Sequence, residues 1–240
     1  MPAILELRRY TLHPGRRDDL IALFDREFIE SQEAVGLLVL GQFRDLDDPD
    51  QFVWLRGFAD MAIRAAGLGA FYGGPVWQAH RAVANSTMID SSNALLLCPA
   101  GPRGNFAMSA SLRPPVGRAT CPPSIVTATV YRLRRPADAT FVQFFEDRIA
   151  PALTAAGAAP IAAYRTHAVE NNFPALPIRT GDPVFVWFAR FGDDAARRAH
   201  EERLAGSRTW TRDLLPLLAE HLAQAAEVLR LAPTARSRLR

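Results

Sequence analysis

Hydrophobic and polar residues follow two periods along this chain, one typical of strands and one of helices. Residues 52–58 alternate as a half-buried strand does, and residues 37–43 form a dense apolar run typical of a buried strand. Leu20, Leu23 and Phe28 instead recur at helical spacing. In the first half, the pattern predicts strands at 3–10, 37–43, 52–58 and 94–98, and helices from 20 to about 35 and from Asp60 to about 84, the second broken near Gly73-Gly74-Pro75.

The second half of the chain repeats this order of elements. It predicts strands at 125–133, 160–166, 183–191 and 226–231, helices at 138–155 and 194–221, and a long loop at 167–182. Between the halves, residues 99–124 are rich in proline and glycine, which indicates a linker.

The two halves also align residue by residue. Ile4 to Arg44 corresponds to the second half with a shift of 121, and residues from Phe52 onward correspond with a shift of 133. The difference is a 12-residue insertion at 171–182. Two constant shifts separated by one insertion predict a duplicated unit with one lengthened loop.

A β-α-β-β-α-β unit forms a four-stranded antiparallel sheet with both helices on one face, the ferredoxin-like arrangement. The bare faces of two such sheets are hidden when the sheets pack together. The sequence therefore predicts an α+β fold of two packed units within one chain. The predicted parts are a first unit at 1–98, the linker at 99–124, a second unit at 125–232 and a basic tail at 233–240.

Composition and charge narrow the function classes. The 240 residues are 49% hydrophobic and 22% charged, an ordinary globular composition. No apolar run is long enough to span a membrane, and a strand pattern begins too early for a signal peptide, so a cytoplasmic location is expected. The net charge is +3, with arginines clustered in the tail. We expect a solvated tail; the alternative is a nucleic-acid arm, but no nucleic-acid-binding motif supports it.

Several kinds of chemistry lack their usual residues. Lysine is absent, which suggests a GC-rich bacterial genome and excludes Schiff-base catalysis by a side-chain amine. The two cysteines, Cys98 and Cys121, are too far apart for a CxxC motif and are expected to be free thiols. The histidines have no metal-ligand spacing, and P-loop, GxGxxG and GxSxG motifs are missing. No metal or cofactor is predicted.

The first strand carries a family resemblance. Residues 6–15, ELRRYTLHPG, resemble the NIPSNAP signature acid-x-Arg-x-Tyr-x-x-x-Pro-Gly, and Val53-Trp54, Arg64 and Trp77 fit the same family. The resemblance implies the dimeric α/β-barrel superfamily, here built within one chain. Its members include cofactor-independent oxygenases, haem-handling enzymes, isomerases and proteins without known activity. The second unit departs from the signature with Thr127 and Thr129, so a site that needs the Glu/Arg pair fits only the first unit.

Strand alternation groups the candidate site residues. Glu6, Arg8 and Tyr10 point to one side of the first strand, and Trp54 and Arg56 share a side of the third. An arginine among aromatic rings can hold a carboxylate or an enolate. If the protein is an enzyme, Arg56 or Arg8 would stabilise an oxyanion and Tyr10 would orient or protonate the substrate. The simpler interpretation is a buried ion pair of Glu6 with Arg8 or Arg56.

Other residues are candidates for ligand contact. All four tryptophans occupy equivalent positions in the two units, which suits either a structural role or a ligand wall. His80 lies where haem-handling relatives place an axial histidine, but a surface histidine without a role is the simpler interpretation. The candidate ligand-binding residues are Arg8, Trp54, Trp77, His80, Tyr131, Arg165, Trp187 and Trp210.

The leading hypothesis is a protein that binds a small hydrophobic or aromatic molecule in a pocket of one or both units. The reaction is undefined; in the enzyme version of this hypothesis, the protein is a cofactor-independent oxygenase or an isomerase. The alternatives are a non-catalytic scaffold and a haem-binding protein. Exposed sheet edges also favour a homodimer, whereas nucleic acid and membrane are not expected as partners.

Overall fold

The computed structural model describes residues 2–101, 104–107, 113–179 and 181–240. Eight strands form in this part of the chain, four in each half. They are β1 (Ile4–Leu12), β2 (Leu38–Asp45), β3 (Gln51–Phe58), β4 (Met88–Pro99), β5 (Ile125–Arg132), β6 (Ala162–Thr166), β7 (Val184–Phe191) and β8 (Glu227–Pro233). Each predicted strand is present, with ends that differ by a few residues; β4 begins six residues earlier than expected.

Six helices accompany the strands in the described residues, and three of them contain a widened π-helical turn. They are α1 (residues 17–33, π-helical at Phe24–Phe28), α2 (Met61–Gly73), α3 (Pro75–Asn85), α4 (residues 139–155, π-helical at Phe145–Ile149), α5 (Asp194–Gly206) and α6 (residues 209–221, π-helical at Thr209–Leu214). The predicted break after Gly73 is present. Asp60, Asp138 and Asp193 each accept a hydrogen bond from the backbone N–H three residues later, which fixes the starts of α2, α4 and α5.

The eight strands close into one antiparallel barrel in the order β1-β3-β2-β8-β5-β7-β6-β4. Within each unit, the strand order is that of a ferredoxin-like sheet. The sheets do more than face each other, because their edges also form hydrogen bonds: β2 pairs with β8 and β4 with β6. The predicted α+β class and barrel are therefore confirmed, with two short seams joining the units.

Side-chain alternation divides the apolar residues into three layers. Leu5 and Leu7 of β1 point into the barrel and belong to one apolar cluster with Val126, Val186 and other inward residues of both units. The opposite faces of the two sheets carry separate apolar layers beneath their own helices. Each unit thus has a helix-covered core of its own, and a ligand site can form in one without the other.

The C-terminal tail corrects an expectation. It was predicted to be solvated, but Thr234 and Ser237 are fully buried and Arg236 is nearly so. Arg236 pairs with Glu30 of α1, and Arg238 lies 3.3 Å from Glu33. The carboxylates of α1 therefore attract the tail onto the helix.

The predicted linker is also packed in part. The Phe106 ring is buried among the barrel residues, and the Arg113 guanidinium bonds to Glu33 at 2.7 Å. Residues 102–103 and 108–112 of that linker lie outside the described part of the chain. Among the helices that the structure describes, none combines the length and hydrophobicity needed to cross a bilayer.

Two glycines of α2 give a direct test of helix packing. A Cβ at Gly67 would overlap the Leu37 side chain and lie 3.0 Å from the Val35 carbonyl oxygen, whereas a Cβ at Gly69 would meet nothing within 4 Å. We expect Gly67→Ala to lower the free energy of unfolding by about 2 kcal/mol because α2 must move away. Gly69→Ala should raise it by about 0.5–1 kcal/mol because alanine favours an exposed helix. Urea unfolding of both variants measures these changes. Equal changes in the free energy of unfolding would contradict the close approach of α2 to Leu37 and Val35.

Candidate ligand cavity in the first unit

Strand register brings the polar residues of β1 and β3 together. Glu6 lies opposite Arg56, and Arg8 lies opposite Trp54. Because side chains alternate along each strand, Glu6, Arg8, Trp54 and Arg56 all face the helices rather than the barrel interior. α2 adds Arg64 from above the sheet.

These residues form a buried ion cluster of Glu6, Arg8, Arg56 and Arg64. One carboxylate oxygen of Glu6 accepts hydrogen bonds from Arg56 Nη2 at 2.7 Å and Arg8 Nη1 at 3.2 Å, and the other accepts one from Arg64 Nε at 2.8 Å. All four side chains are fully buried. Three guanidiniums face a single carboxylate, so the cluster carries two uncompensated positive charges.

The guanidiniums determine the ionisation of Glu6. Burial by itself raises the pKa of the Glu6 carboxyl, but the attraction of Arg56, Arg8 and Arg64 outweighs burial and lowers the pKa from 4.5 to about 2. Glu6 therefore stays ionised at any ordinary pH. It holds the three arginines in place and is a poor general base.

A cavity of about 340 Å³ lies beside the cluster, between the sheet and the helices. Three of its wall residues bond to the arginines behind them. Arg8 Nε donates to Tyr10 Oη at 3.2 Å, Arg8 Nη2 donates to the Ser91 carbonyl at 3.0 Å, and Arg56 Nη1 donates to Gln32 Oε1 at 2.9 Å. The two arginines thus polarise Tyr10, Ser91 and Gln32 at the cavity wall.

Most of the wall is aromatic. The π-helical turn of α1 directs Phe24 and Phe28 toward the sheet, and the Phe24 ring lies 4.9 Å from the Trp54 ring. Arg56 lies 4.8 Å from the centre of the Trp54 ring, a cation–π contact that keeps charge next to the cavity. The wall residues are Tyr10, Leu20, Phe24, Phe28, Gln32, Trp54, Phe71, Tyr72, Trp77, Ala84, Asn85, Met88, Ser91, Phe173, Ala175 and Leu176.

Tyr72 places a second phenol near the arginines. Burial raises the pKa of the Tyr72 hydroxyl, and the attraction of Arg56 and Arg8 offsets part of that rise. Tyr72 therefore stays protonated and is available as a hydrogen-bond donor at neutral pH. Tyr10 already accepts a bond from Arg8, and its own proton has no acceptor among the described residues. Both phenols can donate to a ligand.

The corresponding region of the second unit lacks this cluster. Thr127, Thr129 and Ala189 stand where the first unit has Glu6, Arg8 and Arg56. Without a buried carboxylate to reach, Arg197 pairs with Asp194 and Glu201 on its own helix. The chemistry of the first unit is therefore not repeated in the second.

Comparison with known proteins relates the first unit to one protein family. Its sequence matches the NIPSNAP family model over residues 5–101. Because this match covers the first unit, we call the first unit the NIPSNAP unit. A NIPSNAP family protein from Agrobacterium tumefaciens is 25% identical over 40% of this chain and 91% of its own, with a TM-score of 0.37. No functionally curated protein matches the chain.

Solved structures show the same barrel over nearly the whole chain. A candidate monooxygenase from Fusobacterium nucleatum covers 96% of this chain and 92% of its own, with a TM-score of 0.61 and 11% identity. Another from Lactobacillus acidophilus covers 97% and 94%, with a TM-score of 0.57 and 10% identity. At such identities, the likeness shows the fold alone.

The NIPSNAP unit brings some of the sequence-predicted site residues together. Tyr10, Trp54 and Trp77 line the cavity, and Arg8 and Arg56 lie directly behind its wall. His80 stands outside the wall, 32% exposed and 3.7 Å from Glu27. The predicted ion pair of Glu6 with Arg8 or Arg56 is confirmed, and Glu6 bonds to both.

The candidates from the second unit lie elsewhere. Tyr131 and Trp187 are buried in the apolar layer beneath its helices, and Trp210 packs against that layer. Arg165 lies at the β4–β6 seam and donates to the Ala137 carbonyl at 2.8 Å. None of these four residues contacts the NIPSNAP cavity. Cys98 and Cys121 are free thiols, as predicted.

Sequence reasoning missed several wall and cluster residues. Gln32, Tyr72 and Ser91 were not selected because nothing in their local pattern marks a ligand contact. Arg64 also belongs to this group, because its carboxylate partner is Glu6, 58 positions earlier in the chain. The sequence feature that pointed to the first unit as the place of the site was the lack of a Glu6 counterpart in the second unit.

Proposed function

We propose that the NIPSNAP unit binds a small aromatic molecule with an acidic oxygen and holds it as its anion. The observation that carries this proposal is the position of the Tyr10 hydroxyl. It lines the cavity, accepts a bond from Arg8 of the ion cluster and keeps its own proton free for a ligand. A phenolate, enolate or carboxylate oxygen is the acceptor that such a donor favours.

Charge supports an anionic ligand. The ion cluster has an excess of two positive charges in a region of low dielectric constant, where electrostatic attraction is strong. The described wall contains no carboxylate or imidazole that could remove a proton from the ligand. The site therefore selects a ligand that ionises readily, and its field lowers the ligand's pKa.

The size of the cavity suits a ligand with one or two aromatic rings. An apolar cavity of about 150 Å³ holds a benzene molecule. The cavity here is about 340 Å³, roughly twice that volume, and its wall is mostly aromatic and aliphatic. A substituted single ring or a fused pair of rings fits this space.

The proposed reaction class follows from the anion. An enolate or phenolate is electron-rich at carbon. In an oxygenase, that carbon reacts with O₂; in an isomerase, it is protonated. In either case, Tyr10 donates to the oxygen that bears the charge, while Arg8 and Arg56 stabilise that charge from behind the wall. We also infer that the two units arose by duplication and that only the first kept this site.

Binding of 4-nitrophenol tests the proposal directly. Its phenolate is coloured and its phenol is not, so visible absorbance reports ionisation. At a pH below the probe's own pKa, the protein should increase the absorbance because the bound probe loses its proton to solvent. Tyr10→Phe should weaken binding of the phenolate about tenfold, the effect of one hydrogen bond to a charged group.

The control variant is Tyr131→Phe, at the equivalent position of the second unit. It removes the same hydroxyl from a position outside the cavity and should leave probe binding unchanged. Binding of the probe as the neutral phenol would overturn the proposed charge preference. Equal effects of the two substitutions would overturn the assignment of the site to the first unit.

A further inference from the structure

The second unit completes the cavity of the first. Residues 171–176, here named the cap, begin the 12-residue insertion that distinguishes the second unit from the first. Phe173, Ala175 and Leu176 of the cap form part of the cavity wall. Phe173 stacks on Tyr72 of α2 with ring centres 6.0 Å apart and an interplanar angle of 23°.

Two asparagines fasten the cap to the ion cluster. Arg64 Nη1 donates to Asn172 Oδ1 at 2.7 Å and to Asn171 Oδ1 at 3.1 Å. Asn172 Nδ2 donates in turn to the Met61 carbonyl at the start of α2. The contact is a polar attachment between units, and it uses the Arg64 donor that Glu6 leaves free.

Asn171 also shapes the cap itself. Its Oδ1 accepts from the Phe173 backbone N–H at 3.1 Å, and its Nδ2 donates to the Leu176 carbonyl at 3.0 Å. These two bonds span the turn that presents Phe173 and Leu176 to the cavity. The cap therefore has a defined shape as well as a defined attachment.

We propose that the cap determines which ring systems the cavity accepts. This inference rests on the proposed function, because it assigns specificity to the same site. Ala175 is the small residue of the cap wall, and Phe173 is the large one, so the space open to a second aromatic ring depends on these two side chains. Asn172 acts as a positioning residue through Arg64.

The attachment also connects the cap to the ligand's charged end. Arg64 bonds to Glu6, Glu6 bonds to Arg8, and Arg8 bonds to Tyr10. A single chain of hydrogen bonds thus runs from the cap to the hydroxyl that contacts the anion. The ring-selecting and charge-selecting parts of the site are held in fixed relation across two units of one chain.

The experiment compares 4-nitrophenol with the two-ring 4-nitro-1-naphthol. Ala175→Leu should weaken binding of the two-ring probe about tenfold and that of the one-ring probe less than about threefold, because the added side chain fills the cavity. Phe173→Ala should shift the ratio of affinities in the opposite direction. Asn172→Ala should reduce the discrimination between the probes, whereas general destabilisation would lower both affinities equally.

The matched control is Ala168→Leu, an exposed position of the same loop outside the wall. It should leave both affinities unchanged. If the affinity ratio stays constant in Ala175→Leu and Phe173→Ala while Tyr10→Phe still weakens binding, the cap proposal fails and the proposed function stands. If neither probe binds the unmodified protein, both fail.

Discussion

Replacement of Glu6 by glutamine should lower the free energy of unfolding by about 3–5 kcal/mol, because it leaves three buried guanidiniums without the one carboxylate that pairs with them among the described residues. The substitution preserves size and can still form hydrogen bonds, so the lost quantity is the compensating charge. Urea unfolding followed by circular dichroism measures the effect.

The control for this prediction is Glu201→Gln. Arg197 is the second-unit counterpart of Arg64, and Glu201 is its partner, but the Glu201 side chain is 54% exposed. Exposed ion pairs contribute less than about 1 kcal/mol. If Glu6→Gln lowered the free energy of unfolding no more than Glu201→Gln does, water would have to reach the ion cluster. The cluster would then not attract anionic ligands as proposed.

Strand alternation made much of the site predictable. Period-two spacing placed Glu6, Arg8 and Tyr10 on one face without any knowledge of the fold. The repeat then supplied the order of elements for both units. Alternation alone does not say whether that face meets helices or the barrel interior, so the cavity itself was not predictable from it.

Contacts between distant segments were the part that sequence could not supply. The insertion in the second unit was evident as a loop, but its attachment through Asn172 to Arg64 depends on how β4 and β6 pair at the seam. Likewise, the tail looked solvated because it is rich in arginine. Its partners Glu30 and Glu33 lie on α1, more than 200 residues earlier in the chain. Charge pairing across such separations requires the closed barrel.

Stability should depend on pH through two carboxyl groups whose pKa values move in opposite directions on folding. The folded-state pKa of Glu6 is lowered from 4.5 to about 2 by its arginines, so its stabilising contribution is present above pH 4.5 and is lost as the pH falls toward 2. That loss amounts to about 3 kcal/mol. The free energy of unfolding should therefore fall steeply as the pH is lowered through this window. In Glu6→Gln, this steep dependence on pH should be absent.

Asp25 acts in the other direction. Burial raises its pKa from 3.8 to about 6, and this rise exceeds the opposing effects of the Thr234 hydrogen bond and of Arg236, Arg113 and Arg44. A raised folded-state pKa means that the folded protein binds the extra proton, so stability falls as the pH rises from 3.8 through 6. The loss is about 2–3 kcal/mol, because a tenfold difference in proton affinity between the folded and unfolded states corresponds to about 1.4 kcal/mol.

We therefore expect the combined contribution of Glu6 and Asp25 to the free energy of unfolding to be largest near pH 4–5, where the two windows overlap, and to decline above it as Asp25 ionises. Asp25→Asn should abolish the decline toward neutrality, because an amide carries no charge to bury, and should make the protein more stable than its parent at pH 7. Glu146→Gln, at the equivalent position of the second unit, is the control and should leave the curve unchanged. A neutral-pH decline that persists in Asp25→Asn would show that the carboxylate is already solvated, and the tail would then not cover α1 as tightly as the buried Arg236 and Ser237 indicate.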